Sequence, residues 1–201
     1  SLIVNSGNAN AHTGKRGIKN IGKYTKKASQ IFHCKQNEIL VSSTGIIGEQ
    51  IDSKKIIRKL NNISQTSSKG ILDAAKSIMT TDTFPKVEIS QIKYKSHHVT
   101  IYGFAKGSGM IAPNMGTMLA YIFIEASLKI TDLKKLLHSN IESTFNSISV
   151  DGDTSTSDTI MIFATGLKNS KIKMNKNLFN LLSRGVHDVM LSLSKQIVSD
   201  G

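Results

Sequence analysis

The chain has 201 residues, of which 39% are hydrophobic and two are prolines, enough apolar material for one domain with a sizeable core. Its net charge of +12 is almost all lysine, scattered through almost every segment, with arginine only at Arg16, Arg58 and Arg184 and aromatics at 5%, which argues against a clustered, stacking nucleic-acid surface. No run approaches the ~20 apolar residues of a membrane span, and a single cysteine, Cys34, rules out an internal disulfide and suits a reducing, cytoplasmic setting.

In chain order, Ser1 to Val4 predicts a short strand and the Gly/Asn-rich Asn5 to Asn10 a turn. From Gly14 to Phe32, apolar residues recur at Ile18, Ile21, Tyr24, Ala28, Ile31 and Phe32, the spacing of one helix face. Ile39 to Ser42 reads as a strand leading into a turn. Ser53 is placed to cap a helix with Ile56, Ile57 and Leu60 inward. A further helix carries Ile71, Leu72, Ala75, Ile78 and Met79. Val87 to Tyr94 and Val99 to Phe104 pair as strands around KSHH, and Thr117 to Ala126 is the most apolar strand. A helix stripe runs from Leu133 to Phe145, a strand from Thr159 to Phe163, and the longest stripe from Leu178 to Ile197. Interleaved strands and helices with an antiparallel pair predict an α/β unit of sheets layered against helices. The opening residues lack the length and basic flank of a signal peptide. Both ends look like cuts through a fold.

Several stretches concentrate small polar residues. NSGNANAHTG, residues 5–14, allows close backbone approach to a ligand, or simply makes a tight turn with a helix cap at Thr13. STGIIG, residues 43–48, either aims the Thr44 hydroxyl and a backbone N–H at a developing oxyanion or is a β-turn. MTTDTFPK, residues 79–86, offers threonines to a polar substrate or forms ST-turns. VDGDTSTSD, residues 150–158, begins like a calcium loop at Asp151. It has Thr156 where glycine is needed and no glutamate at the twelfth position, so a hydrogen-bonded turn is expected and no metal. His97 and His98 are adjacent and face opposite sides of a strand. No P-loop and no Ser-His-Asp order occurs.

KGSGMIAPNMGTMLA, residues 106–120, places Thr117 behind Gly116, where a loop meets a buried strand. The hydroxyl is either packing or a nucleophile. A threonine hydroxyl needs a base. Its own α-amine can serve if the Gly116–Thr117 bond is cut by attack of Thr117 Oγ on the Gly116 carbonyl, and a small Gly116 leaves room for that geometry.

Together, NSGNANAHTG, STGIIG, MTTDTFPK, AKGSGMIAPNMGTML and FNSISVDGDTSTSDT resemble, in order and spacing, the ornithine acetyltransferase (glutamate N-acetyltransferase) family of arginine biosynthesis. The resemblance spans residues 5–159. It implies a mixed αββα layered sandwich and a self-cleaving precursor, giving 1–116 as the end of an alpha chain and 117–201 as the start of a beta chain. Residues 1–201 are then one catalytic domain, truncated at both ends and inactive alone. It implies a ping-pong transfer in which Thr117 takes the acetyl group from N-acetylornithine, ornithine leaves and glutamate accepts. Thr44 and Gly45 form the oxyanion hole; Thr80 or Thr81 and Lys106 contact substrate. No cofactor is implied, with acetyl-CoA open as a co-substrate. The implied assembly is a heterotetramer of two alpha and two beta chains in the cytoplasm. Two local departures, Gly116 for the usual alanine and Ser157 for the usual asparagine, keep size and polarity. The competing readings are a related self-cleaving N-terminal-threonine amidase or aminopeptidase, and a non-enzymatic basic binding protein.

Overall fold

Strand parity sorts the side chains of this protein into layers. The computed structural model describes residues 1–63, 70–108, 117–150, 155, 157–166 and 173–201. In chain order the elements are β1 (Leu2–Asn8), α1 (Gly14–Ile31), β2 (Leu40–Ile46), α2 (Ser53–Asn61), α3 (Ile71–Ile78), β3 (Lys86–Tyr94), β4 (His97–Lys106), β5 (Leu119–Ile124), α4 (Ile130–Ile141), β6 (Thr159–Ala164) and α5 (Lys176–Val198). β1 and β2 form a parallel pair, and β3-β4-β5-β6 a mixed sheet in which only β5 and β6 run parallel.

On β5, Ala120, Ile122 and Ile124 face one side and join Leu136 of α4 and Leu182, Val186, Val189, Met190 and Leu193 of α5 in the largest core. Each such buried aliphatic side chain contributes about 1.5–3 kcal/mol relative to exposure. α5 lies close on the sheet because Gly185 has no side chain; a Cβ there would meet Ile101 Cδ1 at 2.7 Å. The alternate residues of β5, Leu119, Tyr121 and Phe123, face the other way and meet Leu2 and Val4 of β1 and Ala75 and Ile78 of α3. Ile3 and Val41, on the far side of the small sheet, pack against Tyr24 and Ala28 of α1 and Leu60 of α2. The order of layers is helices, large sheet, small sheet, helices. This is the αββα sandwich, with α3 closing one side of the space between the sheets.

Four local expectations change. Asn5–Asn8 and Ser43–Ile46 are strand rather than turn, because β1 and β2 continue in register through Ser6↔Thr44 and Gly7↔Gly45. A parallel ladder satisfies backbone groups that would otherwise need a turn. Asp52, not Ser53, caps α2, its carboxylate accepting from Lys54 N at 2.9 Å. Thr13 stands at the start of α1 but donates its hydroxyl to Asn10 Oδ1 at 2.8 Å instead of capping. The β3–β4 hairpin turns on Lys95 and Ser96 alone, so both histidines of KSHH lie in β4.

Candidate active site

The polar residues singled out in the sequence converge at one end of the space between the sheets. On β4, Tyr102, Phe104 and Lys106 alternate onto the face that looks toward the small sheet, so Lys106 follows two aromatic residues into the interior. It is fully buried. Its Nζ donates to Thr80 Oγ1 at 2.9 Å and to Thr44 Oγ1 at 3.3 Å. Thr44, on β2, is also fully buried. One cation thus joins a residue from each sheet to the loop after α3.

Gly45 follows Thr44 with φ +127°, a conformation L side chains rarely adopt. A Cβ there would stand 2.2 Å from the Gly7 carbonyl carbon. Glycine is therefore required at this position for backbone approach alone, before any role toward a ligand. Thr81 is exposed and shares a hydrogen bond with Ser108 Oγ at 2.8 Å. Of the two threonines, Thr80 joins the lysine and Thr81 lies at the rim.

Beneath these groups sits a buried ion triad. Lys86 Nζ lies 2.8 Å from Asp82 Oδ1 and 2.5 Å from Asp200 Oδ2, with all three side chains shut from water. The Asp82 carboxylate also accepts from Gly107 N at 2.7 Å and Thr80 N at 3.1 Å. Asp200, just beyond α5, accepts from the backbone N–H and the hydroxyl of Thr83. Burial pushes the Asp82 carboxyl up, but the Lys86 hydrogen bond and the Gly107 and Thr80 N–H groups outweigh it and hold Asp82 below its ordinary value. Asp200 is lowered by the same balance, with Lys86 and Thr83 opposing burial. The triad locks the loop after α3, the end of β4 and the end of α5 together. Lys86 and Lys106 are both fully buried, unlike lysines on a solvated surface.

Lys106 is depressed from the ordinary lysine value, first by burial, then by Lys86, against the pull of Asp82 and Asp158. Its hydrogen-bond partners are hydroxyls, so the site can take an anionic group against it.

Thr117 stands two residues ahead of β5 and is 6% exposed. Its hydroxyl shares a hydrogen bond with Ser155 Oγ at 3.0 Å. The β4–β5 register sets Lys106 beside Leu119, which brings the Thr117 end of β5 to the Lys106 end of β4. Gly116 and the Asp151, Asp153 and Thr156 of the VDGDTSTSD stretch lie outside the described residues. Among the described residues no cluster of metal-ligating side chains occurs and no helix is long and apolar enough to cross a membrane. The residues that sequence reasoning missed are Asp82, Lys86, Asp200, Ser155 and Asp158. All but Asp200 lie inside motifs already noticed; the Lys86–Asp200 contact spans 114 positions and leaves no local signal.

A model of the ArgJ family matches residues 1–201. The arginine biosynthesis bifunctional protein ArgJ of Bradyrhizobium diazoefficiens is 44% identical over 207 residues, covering 100% of this chain and 50% of that protein. The protein of the same name from Bartonella henselae is 40% identical over 203 residues with the same coverage. The chain spans about half the length of the curated relatives it matches. The crystal structure of arginine biosynthesis bifunctional protein ArgJ from Bacillus halodurans superposes with a TM-score of 0.51 at 38% identity, covering 57% of this chain and 61% of that one.

Proposed function

The chain belongs to the ArgJ family, and from that premise we propose that it forms part of a glutamate N-acetyltransferase that moves the acetyl group from N-acetylornithine to glutamate in arginine biosynthesis. The observation that carries the reading is the buried Lys106, bound to hydroxyls of Thr44 and Thr80 at the end of β4 that adjoins Thr117.

In this reading Thr117 becomes an N-terminal nucleophile by cleavage of the Gly116–Thr117 bond. Its freed α-amine then serves as the base that a threonine hydroxyl needs. Thr117 takes the acetyl group, ornithine leaves, and the acetyl-threonine passes the group to glutamate. Both substrates carry an α-carboxylate. Lys106 is a desolvated cation that such a carboxylate would neutralise, with Thr80 beside it and Thr81 at the rim. Lys106 donates to the oxygen of Thr44, which leaves the Thr44 O–H free to donate. That is the side of the hydroxyl an oxyanion requires, together with the Gly45 N–H, and a preorganised donor of this kind lowers a barrier by ~3 kcal/mol. Acetyl-CoA as a second donor and an assembly of two alpha and two beta chains belong to the same proposal.

The test is the intact mass of the protein at its natural length, beside Thr117→Ala. Wild type should appear as two fragments, one beginning at Thr117, and the variant as a single uncut, inactive chain. A wild type that stays whole after long incubation in the folded state would falsify the nucleophile assignment. Assay with N-acetylornithine and glutamate then separates the transferase, which yields ornithine and N-acetylglutamate, from an amidase, which releases free acetate.

A further inference from the structure

The approach to β6 does more than turn the chain, for Ser155, Asp158 and the first residue of β6 touch the Thr117 segment at three points. Ser155 Oγ lies 3.0 Å from Thr117 Oγ1. Asp158 Oδ1 accepts from Met118 N at 2.8 Å. Thr159 N donates to the Met118 carbonyl at 3.0 Å. Asp158 also accepts from the Ser155 backbone N–H, so a single carboxylate ties Ser155 to the residue that follows Thr117. The Ser155 hydroxyl is fixed in turn by Ser157 N, which donates to it at 3.2 Å. A serine oxygen has two lone pairs and one proton. The Ser157 N–H takes one lone pair and leaves the second for Thr117.

We propose that Ser155 is a catalytic residue of self-cleavage, its oxygen accepting the Thr117 hydroxyl proton in a hydrogen bond that turns an oxygen lone pair of Thr117 toward the peptide bond ahead of it. The role rests on Thr117 being the nucleophile. In the step, Thr117 Oγ bonds to the carbonyl carbon of residue 116, and the C–N bond between residues 116 and 117 breaks. The hydroxyl proton passes to the departing nitrogen. Water then splits the ester, giving a carboxylate on residue 116, a free amine on Thr117 and the Thr117 hydroxyl restored. Ser155 keeps its own proton throughout. A weak nucleophile gains from this because only a hydroxyl held in the attacking orientation contributes to the rate.

The experiment follows cleavage by intact mass over time in protein of natural length, wild type beside Ser155→Ala, with the melting temperature of each uncut form measured in parallel. The expected result is cleavage at least ~10-fold slower in the variant, the rate equivalent of one net hydrogen bond, at an unchanged melting temperature. A smaller slowing overturns the role. Should alanine destabilise the fold, Ser155→Cys, close in volume and a weak acceptor, is read by the same threshold. A wild type that never cleaves is a different failure, since it removes the nucleophile itself.

Discussion

The space between the two sheets has two ends joined by β4, and they are opposites. At one end, Tyr102, Phe123 and Phe163 stack across β4, β5 and β6 with ring centroids 5.3 and 5.0 Å apart, and Phe104 leans on Tyr121 at 5.3 Å. At the other end, two residues beyond Phe104 on the same face of β4, stands Lys106, with Thr44, Thr80 and the Lys86 triad around it. The apolar end is held by area and needs no partners. Every group at the polar end is tied to another, because an unpaired buried charge costs several kcal/mol. The lesson is that a strand can carry its alternation from core into site without a break, changing only the chemistry of the inward residue.

The comparison is broken most severely at Lys86. Replacing it by methionine leaves Asp82 and Asp200 buried against each other, and we expect a loss of about 3–5 kcal/mol in denaturant unfolding. The pH dependence should reverse as well. In wild type both carboxyls are held low, so the stability they contribute is present above the ordinary value of about 3.9 and is lost as pH falls below it. In Lys86→Met the two carboxylates repel and titrate high, so acidification should stabilise. A variant as stable as wild type would mean the polar end tolerates change as the apolar end does.

A smaller effect is expected at Lys106. Lys106→Met should raise KM for N-acetylornithine by ~10–100-fold, the range of a charge-assisted hydrogen bond, while leaving the fold intact. Because burial depresses Lys106, its charge is lost below the ordinary lysine range, so wild-type KM should climb on the alkaline side before that range is reached. Asp82 and Asp158 oppose this loss of charge and Lys86 favours it. A change in kcat with KM untouched would remove Lys106 from substrate binding.

The smallest effect belongs to the apolar end. The Tyr121 hydroxyl and Ser42 Oγ are buried without a hydrogen-bond partner among the described residues. They are near enough that Ser42 tempers the Tyr121 phenol, which burial pushes up to about 12, but they lack hydrogen-bond geometry. Tyr121→Phe should be neutral or up to ~1 kcal/mol more stable in thermal unfolding, with KM unchanged. A loss of stability would show that the hydroxyl is engaged.

Much of this was legible in the sequence because burial leaves a period. The stripes of α1, α4 and α5 and the alternation of β3 and β4 appear in the apolar residues, β5 stands out as an unbroken apolar run, and the motifs singled out Thr44, Lys106 and one of Thr80 and Thr81. What was hidden follows from partners distant in the chain. STGIIG has turn composition, and only pairing with β1 draws it into a strand. Asp52 and Ser53 are both good caps, and the backbone decided between them. Lysine is read as a surface residue, so Lys86 gave no sign of burial; its counter-charge arrives from the far end of α5. Alternation did carry a sign for Lys106, since it continues the inward series of Tyr102 and Phe104.

The position of β5 has one further consequence. It lies between β4, which precedes Thr117 in the chain, and β6, which follows it. A cut ahead of Thr117 therefore severs the polypeptide but not the sheet, and the β4–β5 ladder holds the two chains as one folded body. What changes is the way back from the unfolded state. Refolding becomes an encounter between two molecules, and the melting point of the cut protein acquires a dependence on concentration that the uncut precursor does not have. Maturation would turn a chain that can refold alone into a pair that must find each other.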